Sequence, residues 1–293
     1  MIKKLANSFR QTVAGDPSGR PAWVAEIASG DDTGLFTPDC AVWEVHGSVA
    51  TLIGGIRALL LQAAHPAALA GVASHSRYET DLLGRLQGTS RWLTITTFGS
   101  KAQIAKEASR VNAMHSKVTG EYVKRDGKHD TYQAVDPRFL MWVHCAFTES
   151  FLEAHLICKY PLKEGVDAYV REWSVSAKPL GLANAPKSRL ELQQEIDRFL
   201  TEELSFTPKT AEVIDFILHP PFGIFARIFY KPLANTAIRS LSPAERKLLQ
   251  LKEPKKIWEL MARINLYVLR NALGNHSPAY SAALERQLRL DSK

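Results

Sequence analysis

The feature that most constrains the fold is a long apolar stretch, residues 49–73, which is interrupted near its middle. It reads VATLIGGIRALLLQAAHPAALAGVA. A membrane-spanning helix needs about 20 apolar residues with few or no charges, whereas this stretch contains Arg57 and His65. Pro66 also lacks the backbone N–H that a continuing helix would donate. The pattern therefore predicts two buried core helices that meet near His65 and Pro66, and no membrane span.

Helix-starting signals recur along the rest of the chain. Asp136 can cap a helix whose first residue is Pro137, and an apolar run follows. Helices are therefore expected to dominate the fold. Similar starts or amphipathic patterns are found at Thr207–Pro208, Ser242–Pro243 and residues 257–273.

Strand-like patterns are scarce. Residues 93–98, LTITTF, are β-branched enough for a strand, but they can equally continue a helix. The polar segments 121–135 and 181–189 are expected to be loops. We therefore predict an all-α fold with one helical domain over residues 35–293, preceded by an N-terminal arm over residues 1–34.

Composition narrows the class of partner. The net charge is +7, but the basic residues are spread out along the chain. Nucleic-acid binders concentrate their charge on one face or run, so no nucleic-acid partner is expected. Three widely spaced cysteines argue against a disulfide framework and against a cysteine-based zinc site. The first residues contain no apolar signal segment, so we expect a cytoplasmic protein. Peripheral membrane contact and oligomeric state are left open.

Several common catalytic motifs are missing from the sequence. It has no Glu-x-x-His pair of the di-iron bundles and no His-Glu-x-x-His zinc motif. It also has no Gly-x-Ser-x-Gly elbow, Gly-x-Gly-x-x-Gly turn or Walker loop. Hydrolases, kinases and nicotinamide-dependent enzymes are therefore excluded in their usual forms. Haem, whose iron can be held by a single protein histidine, remains as the metal option.

One segment carries the most suggestive side chains. Arg85 and Thr89 are four residues apart and so share one helix face. His115 follows in a helical pattern, between Asn112 and Thr119. A neutral imidazole can ligate iron, and a guanidinium can hold a propionate in a bidentate fork. A structural alternative for the arginine is an ordinary ion pair on the helix surface.

Two further histidines are reserve candidates for a metal ligand or for the opposite side of a cofactor. A lone helical histidine is more often an ordinary core or surface residue than a ligand. His144, Thr148, Phe151 and His155 nevertheless share one helix face. His65 precedes a proline at a helix break, where a side chain can enter a cavity. His144 and His65 are therefore kept as candidates for cofactor binding.

Four phrases together carry a family resemblance. They are LFTPDCAVWEVHGSVATLIGGIRALLLQAAHPAALAGVASHS (35–76), ETDLLGRLQGT (79–89), RVNAMHSKVTG (110–120) and YQAVDPRFLMWVHCAFTESF (132–151). In their order and spacing they resemble the rubber oxygenase (latex-clearing protein) and MpaB oxygenase family. The resemblance implies an all-α fold of globin-like character, with a haem b pocket between core helices. It also implies cleavage of carbon–carbon double bonds in isoprenoid chains with dioxygen.

The resemblance also implies roles for particular residues. Arg85 and Thr89 match the family's Arg-x-x-x-Thr pair, which belongs to the catalytic and haem pocket. His115 matches its axial iron ligand. The family pattern Arg-x-x-His-x-x-x-Arg is broken at both ends, because Asn112 and Thr119 stand where the arginines are expected. The two replacements are therefore also candidates for contact with the haem.

The resemblance predicts a haem b-dependent oxygenase or oxidoreductase that acts with dioxygen on a small lipophilic substrate, of isoprenoid or polyene type. The distal lysine of the rubber-cleaving members is replaced by Gly88, and no carboxylate base matches by motif, Glu79 being the nearest. Two other classes stay open. One is a haem-free family member that binds a hydrophobic ligand without catalysis, and the other is a helical structural or interaction protein.

Overall fold

The computed structural model describes residues 16, 18, 20–75, 82–274 and 276–292, except for the side chains of residues 72–75, 82–86, 225 and 273. Within these residues the chain forms fourteen α-helices, one 3₁₀ segment and one two-stranded hairpin. The prediction of an all-α fold is confirmed.

The helices follow one another in chain order, with the hairpin near the middle. The first six are α1 (Ala22–Ser29), α2 (Ala41–His46), α3 (Thr51–Ala63), α4 (Pro66–His75), α5 (Leu82–Phe98) and α6 (Lys101–His115). Then come β1 (Thr119–Val123), β2 (His129–Gln133), α7 (Pro137–Ile157), α8 (Gly165–Trp173) and the 3₁₀ segment (Ser174–Leu180). The last six helices are α9 (Arg189–Glu202), α10 (Pro208–Leu218), α11 (Ile224–Ser240), α12 (Pro243–Leu248), α13 (Ile257–Leu273) and α14 (Pro278–Asp291).

Side-chain caps confirm the predicted helix starts. Asp136 accepts a hydrogen bond from a backbone N–H in the first turn of α7. Thr207 and Ser242 begin α10 and α12 with reciprocal capping boxes. Each such cap stabilises a helix by about 1 kcal/mol, because it satisfies a donor that has no partner inside the helix. Gly274 ends α13 with a φ of +99°, a backbone conformation that favours glycine.

The apolar stretch of residues 49–73 forms α3 and α4, as predicted. α3 lies in the core and packs against α7, α10 and α11. A Cβ atom added at Gly54 would lie 2.6 Å from Cδ1 of Phe151 and 3.1 Å from its Cα, so this glycine permits the close approach of α3 and α7. Among the described residues, no helix has the length and apolar character needed to cross a membrane.

The expectation of a loop over residues 121–135 is wrong. β1 and β2 pair as an antiparallel hairpin in which Val123 lies opposite His129. Tyr122 and Tyr132 are buried on one face of the hairpin, in an apolar cluster with Phe139. Their burial against α4 and α7 stabilises a pairing that the polar sequence did not indicate. Residues 93–98, the ambiguous segment, continue helix α5.

Part of the predicted N-terminal arm is packed on the domain. α1, within residues 1–34, packs against α14. The buried guanidinium of Arg286 donates a hydrogen bond of 2.9 Å to the carbonyl of Ile27. Residues 1–15 lie outside the described part of the chain, and the domain boundary at residue 34 stays a prediction.

Candidate functional site

The two helices that carry the candidate residues, α5 and α6, are held together by a buried carboxylate. Glu107 of α6 is only 2% exposed. It accepts hydrogen bonds from Arg91 of α5 at 3.0 Å and from Arg110 of its own helix at 2.6 Å. Burial raises the pKa of Glu107, but the hydrogen bonds from Arg110 and Arg91 outweigh that effect and lower it overall. Glu107 therefore stays ionised and fixes α6 against α5.

His115 is the last residue of α6 and lies on its buried face. Ile104, Ala108 and Val111 precede it by eleven, seven and four residues on that face, and all three are buried. Burial lowers the pKa of the His115 imidazole, so the ring is neutral at pH 7. Its Nδ1 atom is buried and has no hydrogen-bond partner in the described part of the chain.

Asn112 and Thr119, at the two arginine positions of the family pattern, lie in different surroundings. The Nδ2 atom of Asn112 donates a hydrogen bond of 3.1 Å to the carbonyl of Pro179, in the 3₁₀ segment. This contact ties α6 to the 3₁₀ segment. Thr119 is the first residue of β1 and is exposed. Neither side chain provides the positive charge that the family pattern has at its position.

His144 has the same two properties as His115. Burial lowers the pKa of the His144 imidazole to about 4, so this ring is also neutral at pH 7. Its Nε2 atom is buried and without a hydrogen-bond partner among the residues described. Leu140, four residues earlier on the same face of α7, packs against Ala177 of the 3₁₀ segment. The helices of both histidines therefore contact this segment.

His65 is placed differently from the other two candidates. It is 1% exposed, between α3 and α4, and its Nε2 atom lies 3.3 Å from Oε2 of Glu203. It borders a cleft of about 340 Å³ whose other lining side chains include Lys124, Arg125 and Arg138. A haem needs a mostly apolar pocket, so His65, with Glu203 close to its Nε2 atom and a charged cleft beside it, is the weakest of the three histidine candidates.

The Arg-x-x-x-Thr pair is only partly described. Arg85 belongs to α5, but its side chain lies outside the described part of the structure, as does Glu79. Thr89 lies one turn further along α5 and is half-buried. A Cβ atom at Gly88, the position of the family's distal lysine, would meet no described atom within 4 Å. The roles of Arg85 and Thr89 stay predictions.

His46 is a further buried histidine, which the sequence did not indicate. Both nitrogens of its imidazole have hydrogen-bond partners. Its Nδ1 lies 2.8 Å from Oγ1 of Thr97, and its Nε2 lies 2.9 Å from the hydroxyl of Tyr169. Burial lowers the pKa of His46 to about 3. Its partners are 51 and 123 residues away in the sequence, so no local pattern predicts them. Both ring nitrogens are occupied, which makes His46 a core residue and not a free ligand.

A second buried polar group was also missed. Arg57 of α3 is 1% exposed and donates hydrogen bonds to Glu149 at 3.0 Å and to Glu245 at 2.8 Å. Burial raises the pKa of Glu245 to about 7. For Glu149 the charge of Arg57 outweighs burial and lowers the pKa. From the sequence, Arg57 was only evidence against a membrane span. In the fold, its hydrogen bonds to Glu149 and Glu245 join α3, α7 and α12.

The histidines fit a haem better than a bare metal ion. In the described residues no three His, Cys, Asp or Glu side chains form a group that could hold a metal ion. Haem iron needs only one protein nitrogen. His115 and His144 each offer a neutral imidazole with one buried nitrogen that has no hydrogen-bond partner within the described ranges. By this test the residues present are compatible with one axial ligand.

The structure is an all-α domain in which two neutral histidines, His115 and His144, each have a buried nitrogen with no hydrogen-bond partner among the described residues. A family profile described as "ER-bound oxygenase mpaB/B'/Rubber oxygenase, catalytic domain" matches residues 43–273. This match covers more than half of the chain, so the chain belongs to that family of oxygenases. No curated protein and no solved structure matched the chain in the other two comparisons.

Proposed function

We propose that this chain is a haem b-dependent oxygenase, or a related haem oxidoreductase, with His115 as the axial iron ligand. Its substrates would be dioxygen and a small lipophilic molecule of isoprenoid or polyene type. Membership of the family supports an oxygenase in general terms. The observation that carries the haem assignment is the buried Nδ1 atom of His115, which has no hydrogen-bond partner among the described residues.

The chain's own residues have definite roles in this proposal. Burial keeps the His115 ring unprotonated, so that a nitrogen lone pair is available to iron. The ion pair of Glu107 with Arg91 holds α6, and with it His115, against α5. Arg85 is proposed to bind a propionate and Thr89 to line the pocket. When bound, the haem would supply the chemistry of dioxygen that the side chains cannot.

His144 is the competing candidate for the iron ligand, because its imidazole is also neutral and its buried Nε2 atom has no hydrogen-bond partner in the part of the chain that the structure describes. Only one of the two histidines is expected to ligate iron, and His144 is the reserve candidate. His65 is placed third, because Glu203 already lies 3.3 Å from its Nε2.

The test is haem content. Protein expressed with a haem precursor is expected to show a Soret band and a pyridine haemochrome. His115→Ala should lose both, whereas His144→Ala and the exposed control His219→Ala should keep them. Loss in His144→Ala alone would transfer the axial role to that residue. A wild-type protein that stays colourless after reconstitution with haem would end the oxygenase proposal.

A second candidate function is a haem-free family member that binds a hydrophobic ligand without catalysis. Asn112 and Thr119 replace the two arginines of the family pattern. The one arginine in the sequence of α6, Arg110, is bound to Glu107. In this case the reconstituted protein would be colourless and would still bind a fluorescent fatty-acid or polyene probe. The absence of a nucleic-acid partner and a cytoplasmic location stay predictions from the sequence, which left peripheral membrane contact open.

A further inference from the structure

Helix α13 carries a row of large apolar side chains on its solvent-facing side. At 3.6 residues per turn, the row occupies an arc of about 120° and extends roughly 17 Å along the helix. We term it the α13 stripe. Its members are between 41% and 69% exposed, namely Ile257, Leu260, Met261, Ile264, Tyr267 and Val268.

The opposite side of α13 packs against the rest of the domain. Ala262, Leu266 and Leu269 are buried there. Asn265 donates a hydrogen bond of 2.9 Å to the carbonyl of Phe229, which attaches α13 to α11. Since the helix is anchored by this second face, packing among the described residues does not account for the α13 stripe. An exposed apolar patch of this extent is typical of an interaction site.

The exposed charges on α13 itself have one sign. Arg263 and Arg270 are exposed on the flank of α13. Glu259 is the one acidic residue of this helix, and it is turned away from solvent by an ion pair of 2.7 Å with Arg239. The exposed surface of α13 therefore combines apolar side chains with positive charge only.

The neighbouring helix α11 has the same character in its first two turns. Ile224 and Ile228 are each 66% exposed. The charged residues of these turns are Arg227 and Lys231, and the Lys231 ammonium lies 5.5 Å from the ring centroid of Trp258 on α13. α11 contains no acidic residue. The apolar and basic surface therefore includes both helices.

From this combination we propose that α13 and the start of α11 form a docking surface for membranes that contain anionic lipids. Amphipathic helices bind such membranes by placing apolar side chains at the headgroup boundary while arginine and lysine contact the phosphates. The surface is distinct from residues 49–73, whose first helix, α3, lies in the core. Docking requires no haem, so it can be tested separately from the oxygenase proposal.

A second copy of this chain matches the surface less well than a membrane does. Most self-associating proteins use a two-fold interface, in which each patch meets its own copy. If the two α13 helices meet antiparallel, Arg263 and Arg270 approach the same arginines of the other copy, and like charges oppose association. Anionic headgroups instead neutralise both arginines.

Vesicle flotation tests the proposal with the full chain. Wild-type protein is expected to float with vesicles of phosphatidylcholine and phosphatidylserine, and far less with phosphatidylcholine alone. Leu260→Gln combined with Ile264→Gln should weaken binding about tenfold or more, because apolar burial is lost. Arg263→Gln should weaken it roughly fivefold, and only on the anionic vesicles. Leu288→Gln, which changes a leucine on α14 that is 70% exposed, is the matched control and should bind as wild type.

Three results would overturn the proposal. The first is no flotation of the wild type with anionic vesicles. The second is an equal loss of binding in Leu288→Gln and in the double variant. The third is a lipid-free dimer, seen by analytical ultracentrifugation, that the double variant dissociates. Circular dichroism checks that each variant is folded, and Ile264→Gln alone replaces the double variant if that protein is unfolded.

Discussion

Arg91 of α5 and Glu107 of α6 form an ion pair, with Nη2 and Oε2 2.9 Å apart, that joins the helix of Thr89 to the helix of His115. The carboxylate is buried, whereas Arg91 is about one-third exposed on its side chain. Because Arg110 binds the other carboxylate oxygen, Glu107 is the central group of this contact. The position of the candidate axial histidine depends on it.

Removal of this carboxylate charge should loosen α6. We expect Glu107→Gln to lower the free energy of unfolding by about 1–2 kcal/mol, since the guanidinium partners are partly solvated. Urea unfolding followed by circular dichroism measures the change. Glu26→Gln, on α1, removes an exposed ion pair with Lys106 of α6. It should lower the free energy of unfolding by less than about 0.5 kcal/mol. Equal effects of the two substitutions would show that Glu107 has no special role.

Replacement by alanine should have opposite effects on protein stability at the two adjacent glycines of α3, Gly54 and Gly55. A Cβ at Gly54 would lie 2.6 Å from Cδ1 of Phe151, so Gly54→Ala should destabilise the protein by about 1–3 kcal/mol. Gly55 has no described atom within 4 Å of an added Cβ, and its replacement by alanine should stabilise the helix by about 0.5–1 kcal/mol. The unfolding temperatures of the two variants and of the wild type measure these effects. Destabilisation by Gly55→Ala would contradict the packing described for α3.

Glu245 should make the protein less stable as the pH rises through neutrality. Its pKa in the folded protein is about 7, above the ordinary value of 4.5. The stabilising contribution of its proton is therefore complete below about pH 4.5 and is lost as the pH rises through 7. Glu245→Gln should remove this loss, so the difference in unfolding free energy between wild type and variant should change between pH 5 and pH 8. A difference that is constant over this range would contradict the raised pKa.

His46 should have the opposite pH dependence. Burial lowers its pKa to about 3, so the folded protein resists protonation that the unfolded chain accepts near pH 6.5. Its stabilising contribution is complete above pH 6.5 and is lost progressively as the pH falls from there towards 3. His46→Gln should reduce the acid sensitivity of unfolding between pH 7 and pH 5. An acid sensitivity that is the same in His46→Gln as in the wild type would contradict the lowered pKa of His46.

The elements that the sequence predicted are those with local signals. Helix α7 begins at Pro137 because Asp136 caps it, and α12 begins with the Ser242 capping box. Both signals lie within a few residues of the helix that they start. The hairpin was missed because Tyr122 and Tyr132 are stabilised by burial against other elements and not by a strong strand pattern.

In the candidate site, too, the residues with a local sequence signal were predicted and those with distant partners were not. His115 was found from helical spacing and a family resemblance, and its inward orientation follows from the periodicity of α6. Glu107 and Arg57 could not be assigned, because a charged residue in a helical pattern is expected at the surface until its partners are known. Glu149 and Glu245, the partners of Arg57, are 92 and 188 residues away.

Chemical rescue of His115→Gly is the most direct test of the haem assignment. The wild-type protein, reconstituted with haem, should show a Soret band that His115→Gly lacks. Added imidazole should restore that band in the variant, because it can occupy the space left by the side chain and ligate iron. The same treatment of His144→Gly should change nothing if that variant retains its haem. Haem binding by His115→Gly without imidazole, equal to that of the wild type, would contradict the assignment of His115 as the axial ligand.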